Sequence, residues 1–147
     1  MKINIVLIML LGTILFSCSS NKNVISDIKN EPTMTVSKKS TLIGKWKLIE
    51  LNGRAIDNEN FYIQFYDDNH FSSFAGCNGM NGEYDIKNGF KIQFSKVMST
   101  LMACQDMETE QQLAKVFEIA DNFNLNTNSL SLNKAKIAPL ARFELMK

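Results

Sequence analysis

Chemistry needs particular side chains at workable spacing, and this chain offers few of them. Its 147 residues hold one histidine, His70, and three cysteines, Cys18, Cys77 and Cys104. His70 follows Asp67 and Asp68 and precedes Ser72 and Ser73, an order that on paper supplies an orienting acid, a base and a nucleophile. A triad is defined by geometry rather than adjacency, and residues crowded onto one turn do not converge on a substrate. His70 is therefore expected to be an exposed turn residue. Asp67-Asp68 could offer oxygen ligands to calcium, but no EF-hand-like series of ligands follows them. Cys77 and Cys104 lack the Cys-x-x-Cys spacing of a thiol oxidoreductase, and a zinc site built on them with His70 as third ligand would lack a fourth. No catalytic residue, no cofactor and no metal site is expected, and no enzymatic activity.

The amino terminus sets the compartment. Met1-Lys2 carries a positive charge, Ile3 to Phe16 is apolar apart from Asn4, Gly12 and Thr13, and Ser17-Cys18 closes the segment. That run is shorter than the roughly 20 residues a spanning helix requires, so residues 1–17 are expected to be a cleaved signal peptide. Leu15-Phe16-Ser17-Cys18 resembles the bacterial lipobox, which implies diacylation of Cys18 as the first mature residue. Ser19 after it, by resemblance to the enterobacterial sorting rule, favours the outer membrane. Residues 19–40 are rich in Ser, Asn and Lys, so 18–40 is expected to be a lipidated terminus and flexible tether. The cysteines fit this scheme. Once Cys18 is lipidated in an exported chain, Cys77 and Cys104 remain, and outside the cytosol such a pair is expected to form a disulfide. The whole chain carries 16 basic and 15 acidic side chains. Loss of Lys2 with the signal leaves fifteen of each, which argues against a nucleic-acid partner.

The elements that position these residues read as strands. Residues 41–147 form one domain, enough for a modest core. Trp46, Leu48, Ile49 and Leu51 make the first strand apolar on both faces, with Trp46 expected to be buried, and Asn52-Gly53 ends it. Phe61, Ile63 and Phe65 alternate with Tyr62, Gln64 and Tyr66, and Asp67-Asp68-Asn69 turns the chain back into Phe71 to Ala75. Asn-Gly pairs at 52, 78, 81 and 88 supply the positive φ angles of tight hairpins, a strong antiparallel signal. Phe90, Ile92 and Phe94 follow at period two. The period then changes. Asp106 is placed to cap a helix spanning about 106–121, with Glu108 and Glu110 suited to its dipole and Leu113, Val116, Phe117 and Ala120 at helical spacing. Strand spacing returns with Phe123 and Leu125, then Leu130 and Leu132, then Leu140 to Leu145 after Pro139.

The residues so placed resemble the META family, also called HslJ-like, a set of bacterial envelope proteins and lipoproteins with a heat-shock member. The carriers are Gly44-Lys45-Trp46, Gly76-Cys77-Asn78 with Gly82-Glu83-Tyr84, Ser99-Thr100-Leu101-Met102-Ala103-Cys104, Leu130-Ser131-Leu132 and Arg142-Phe143. The motif positions are Gly76, Cys77, Asn78, Thr100, Met102, Ala103 and Cys104. The resemblance implies a mainly β fold, a small antiparallel barrel-like domain with one helix, and no established enzymatic activity.

The expected function is a non-enzymatic, lipid-anchored envelope module with an interaction or stress-tolerance role. It is attached to the membrane through Cys18 and contacts an envelope protein through a monomeric domain, with Tyr62, Tyr66 and Tyr84 as candidate exposed contacts. The alternative is a barrel that holds a small apolar ligand, lined by Phe61, Phe65, Phe71, Phe90 and Phe94, although such rings more often form plain core.

Overall fold

A computed structural model describes residues 41–147. Nine strands and one helix follow in the order β1 (Gly44–Leu51), β2 (Arg54–Ala55), β3 (Tyr62–Phe65), β4 (His70–Phe74), β5 (Gly79–Lys87), β6 (Lys91–Ser99), α1 (Glu108–Ile119), β7 (Asn122–Leu125), β8 (Ser129–Asn133) and β9 (Ala141–Leu145). Every pairing is antiparallel, and β9 returns to β1 with Trp46 opposite Leu145 and Leu48 opposite Phe143. Eight strands, β1 and β3 to β9, thus close a barrel, and β2 is a two-residue ribbon lying along the end of β1. Eight strands leave an interior that side chains can just fill.

The first strand is apolar on both faces because its phase changes. The register against β9 shifts between Leu48 and Glu50. Trp46 and Leu48 point inward before this irregularity and Leu51 after it, all within 1% of full burial. The indole N–H of Trp46 donates to the carbonyl of Leu42 at 2.9 Å, so the buried ring keeps a polar partner.

Two of the four Asn-Gly pairs behave as hairpin signals. Asn52 and Gly53 have φ of 50° and 80°, and Asn88 and Gly89 have 53° and 73°. The other two do not make turns. The connection from β4 to β5 is residues 75–78, whose positive φ belongs to Gly76 at 147°, and Gly79 and Gly82 lie inside β5. Gly82 is there for want of a side chain. A Cβ on it would stand 2.7 Å from the Phe71 ring and 2.9 Å from the Ser95 carbonyl. Phe71, its cross-strand partner, occupies the space instead.

With Met80 and Gly82 facing inward, period two carries Tyr84 inward as well. It is 2% exposed rather than an outer contact, and its hydroxyl donates to the carbonyl of Tyr66 at 2.7 Å. Phe90 departs from expectation in the opposite direction. Lys87 pairs with Lys91, so Phe90 completes the turn before the alternation of Ile92 and Phe94 begins, and it is 47% exposed.

The strand β6 meets β7 only where Lys91 faces Asn122, and α1 packs beside it. Leu113, Val116 and Phe117 on the helix are buried. Phe117 lies with its ring centroid 4.9 Å from that of Phe71 and 5.0 Å from that of Phe94. The helix begins at Glu108 rather than at 106. The carboxylate of Asp106 still accepts the Glu108 N–H, at 3.1 Å, from just outside it.

Candidate functional site

The motif residues Gly76, Cys77, Asn78, Thr100, Met102, Ala103 and Cys104 come from two connections, 75–78 before β5 and 100–107 between β6 and α1. Asn78, 1% exposed, joins them. Its Oδ1 accepts the backbone N–H of Met102 at 2.8 Å and the hydroxyl of Thr100 at 2.8 Å, and its Nδ2 donates to the Met102 carbonyl at 3.2 Å. The side-chain amide thereby offers Met102 the donor and acceptor that a neighbouring strand would offer. Thr100 continues the β5–β6 pairing by donating its N–H to Gly79 O at 3.1 Å.

A carboxylate holds this clamp from beneath. Glu110, 5% exposed on the first turn of α1, accepts the N–H of Asn78 at 2.6 Å and that of Cys77 at 3.1 Å through one oxygen. A buried carboxylate is tolerable only with such donors, and charge-assisted bonds of this type are the strong ones. Glu110 occupies the inward stripe of the helix with Leu113 and Phe117, three and seven positions on. That periodicity is the signal by which sequence reasoning, which treated Glu110 as a dipole partner, had the means to find it. Cys77 and Cys104 add a third tie, at disulfide distance with Cα atoms 6.2 Å apart.

The consequence of these ties is a surface. Around an irregularity at Lys96, whose φ is 51°, residues Ser95 to Asp106 are all exposed. Val97 is 37%, Met98 68%, Leu101 99% and Met102 55% exposed. A shallow groove of about 340 Å³ runs beside them, lined by Asn78, Thr100, Leu101, Met102 and Met107. These large apolar side chains are thus presented to solvent from the end of β6 and a connection that hydrogen bonds to Asn78 hold in place.

His70 opens β4, at the end of that strand away from connection 75–78. It is exposed, with Nδ1 3.3 Å from Asp68 Oδ1. The His70 backbone N–H also donates to that carboxylate, and this is the main cause that lowers the Asp68 pKa. Ser72 pairs with the Tyr66 hydroxyl and Ser73 donates to the Tyr62 carbonyl, so both hydroxyls are engaged away from the imidazole. Among the described residues, no group of three His, Cys, Asp or Glu is arranged to hold a metal ion. Tyr62 is half-buried beneath the Lys45 ammonium, 3.8 Å from its ring centroid, and Tyr66 is 38% exposed. Inside the barrel, Phe65, Phe71, Phe94 and Phe117 form a chain of edge-to-face and tilted ring contacts, while Phe61 is half-buried against Phe74. Cys18, the expected lipidation site, lies outside the described residues.

Known proteins agree with this architecture. The META domain family matches residues 40–147. A protein from Burkholderia xenovorans solved by NMR is similar at a TM-score of 0.60 and 19% identity, covering 86% of this chain and 98% of its own. A second NMR structure is similar at a TM-score of 0.58 and 21% identity, over 74% of this chain and 93% of that one. A DUF4847 family protein from Bacteroides vulgatus is similar at 0.55 and 12% identity, covering 74% and 96%. Such identities speak for the fold alone. No curated protein matches the chain. A family match over most of the chain, on a closed barrel whose two motif connections meet at Asn78, places this chain in the META domain family.

Proposed function

We propose that the protein is a non-enzymatic lipoprotein module of the cell envelope, anchored through Cys18 and favouring the outer membrane, which contacts another envelope protein through the apolar surface at Val97, Met98, Leu101 and Met102. The observation that carries this proposal is Leu101, 99% exposed within a connection that Asn78, Glu110 and the cysteine pair hold in place. An unrestrained loop would fold such side chains onto the core, since each large apolar group gains about 1.5 to 3 kcal/mol on burial. Among the described residues, the hydroxyls and the carboxylate beside it are already engaged. The Thr100 hydroxyl donates to Asn78, the Ser99 hydroxyl donates to the Thr100 carbonyl, and Glu110 is occupied by two backbone N–H groups.

In-cell photo-cross-linking tests this proposal. A photoreactive residue at Leu101 should give a discrete adduct with an envelope protein, while the same residue at Phe90, exposed in the β5–β6 turn, should give none. Adducts at both positions or at neither would contradict it. The anchor has its own test. Wild type should enter the detergent phase and Cys18→Ser should not, because two acyl chains suffice for stable attachment. Equal partitioning would remove the anchor. Residues 19–40 would reach about 25 Å as a coil, enough to hold the domain off the headgroups.

A further inference from the structure

The outer face of the barrel across β7, β8, β9 and β1 carries a second feature. One row of outward side chains crosses four strands, with Asn124 on β7 paired to Ser131 on β8, Ser131 to Arg142 on β9, and Arg142 to Glu50 on β1. Ser131, the smallest of them and 8% exposed, sits between the larger Asn124 and Arg142, so the row dips there. The hollow has a volume of about 560 Å³, with Asn124, Asn126, Ser131 and Arg142 as polar walls and Leu125 and Pro139 as apolar ones. Its polar groups retain bonding capacity. Arg142 meets Glu50 through Nε at 3.4 Å, and its side chain is 48% exposed. The side chains of Asn124 and Ser131 make no hydrogen bond among the described residues.

We infer that this hollow binds a neutral saccharide. The charge balance argues for neutrality. Glu50 sits against Arg142 and offsets its charge, so a free anion entering the hollow would meet little net positive potential. The donor and acceptor inventory argues for a polyol. Two amides and a hydroxyl each offer both functions, and the guanidinium adds a planar pair of donors. The apolar walls at Leu125 and Pro139 match the C–H face of a pyranose ring. Pockets for small ligands run from about 300 to 1,000 Å³, and this volume falls in that range.

The test uses the full-length chain in a detergent without a sugar headgroup, with backbone and side-chain NMR signals followed during addition of cellobiose, maltose, N,N′-diacetylchitobiose or acetate. At least one neutral disaccharide should shift Asn124, Ser131 and Arg142 in a saturable way while leaving Leu101 unmoved. Ser131→Phe should fill the hollow and abolish the shifts. Arg142→Gln should weaken binding about tenfold, the loss of one charge-assisted hydrogen bond. Each variant must retain the wild-type spectrum elsewhere, and Asn124→Ala serves in place of either one that does not. No disaccharide shifting these residues, acetate alone shifting them, or shifts that persist when the hollow is filled would overturn the inference.

Discussion

At the scale of single residues, Asn78 and Glu110 decide whether the exposed loop has a shape. Asn78 makes three side-chain bonds to Thr100 and Met102, and Asn78→Ala removes all of them. Water can replace part of what is lost at an exposed loop, so the cost should be about 2 to 3 kcal/mol, read from urea unfolding midpoints at constant slope. A change below measurement error would show that the loop is held by other means. Tyr84 supplies a pH signature. Burial first, then the nearby Asp68 and Asp67, push its phenol up to about 12 from the usual 10. Because the folded value is the higher one, the folded state keeps the proton longer. Stability from this group is therefore complete below pH 10 and declines as pH rises from 10 towards 12. Alkaline titration of wild type against Tyr84→Phe, by ultraviolet absorbance and unfolding, should show one late phenol and a smaller stability loss in the variant. A phenol at Tyr84 that ionises at the usual value would contradict its burial. Neither role is legible from residue type: Asn78 stands in an Asn-Gly pair that predicts a turn, and the inward phase of Tyr84 follows from Met80 and Gly82 belonging to the same strand.

Elements explain those two cases and the successes beside them. Asn-Gly specifies a tight turn only where the flanking strands already face each other in register. At Asn52 and Asn88 they do, and both residues there take positive φ. At Gly79 and Gly82 the strand runs through, and the glycine at 82 answers a steric demand from Phe71 that lies eleven positions away in sequence. No local pattern encodes that demand. The helix was legible because 3.6-residue periodicity is local, but the task of Glu110 depended on which loop came to rest above it. The cysteine pair belongs to this scale too, since it ties the start of β5 to the approach to α1 across 27 positions. On the chain-entropy account a disulfide closing that loop stabilises the domain by about 3.5 kcal/mol. Non-reducing peptide mapping of envelope-purified protein should recover the Cys77–Cys104 peptide pair. Cys104→Ser should lower stability by about that amount while leaving the barrel folded, because Asn78 and Glu110 remain. Free alkylation of both thiols without reductant would remove the bond from the account.

At the scale of the molecule, a closed barrel with an interior filled by aromatic rings presents its distinctive chemistry outward. Closure leaves few strand edges to recruit partners, and the interior is occupied by Phe65, Phe71, Phe94 and Phe117. What remains on the motif side is the apolar surface around Leu101, whose position depends on contacts from a strand connection, a helix and a cysteine pair together. The measurement closest to this dependence is photo-cross-linking from Leu101 in intact cells, in the wild-type background and in Asn78→Ala produced at equal level and shown to be folded. The account predicts a discrete adduct in wild type that falls at least severalfold when Asn78 no longer holds Met102. An adduct of equal yield in both backgrounds would contradict it.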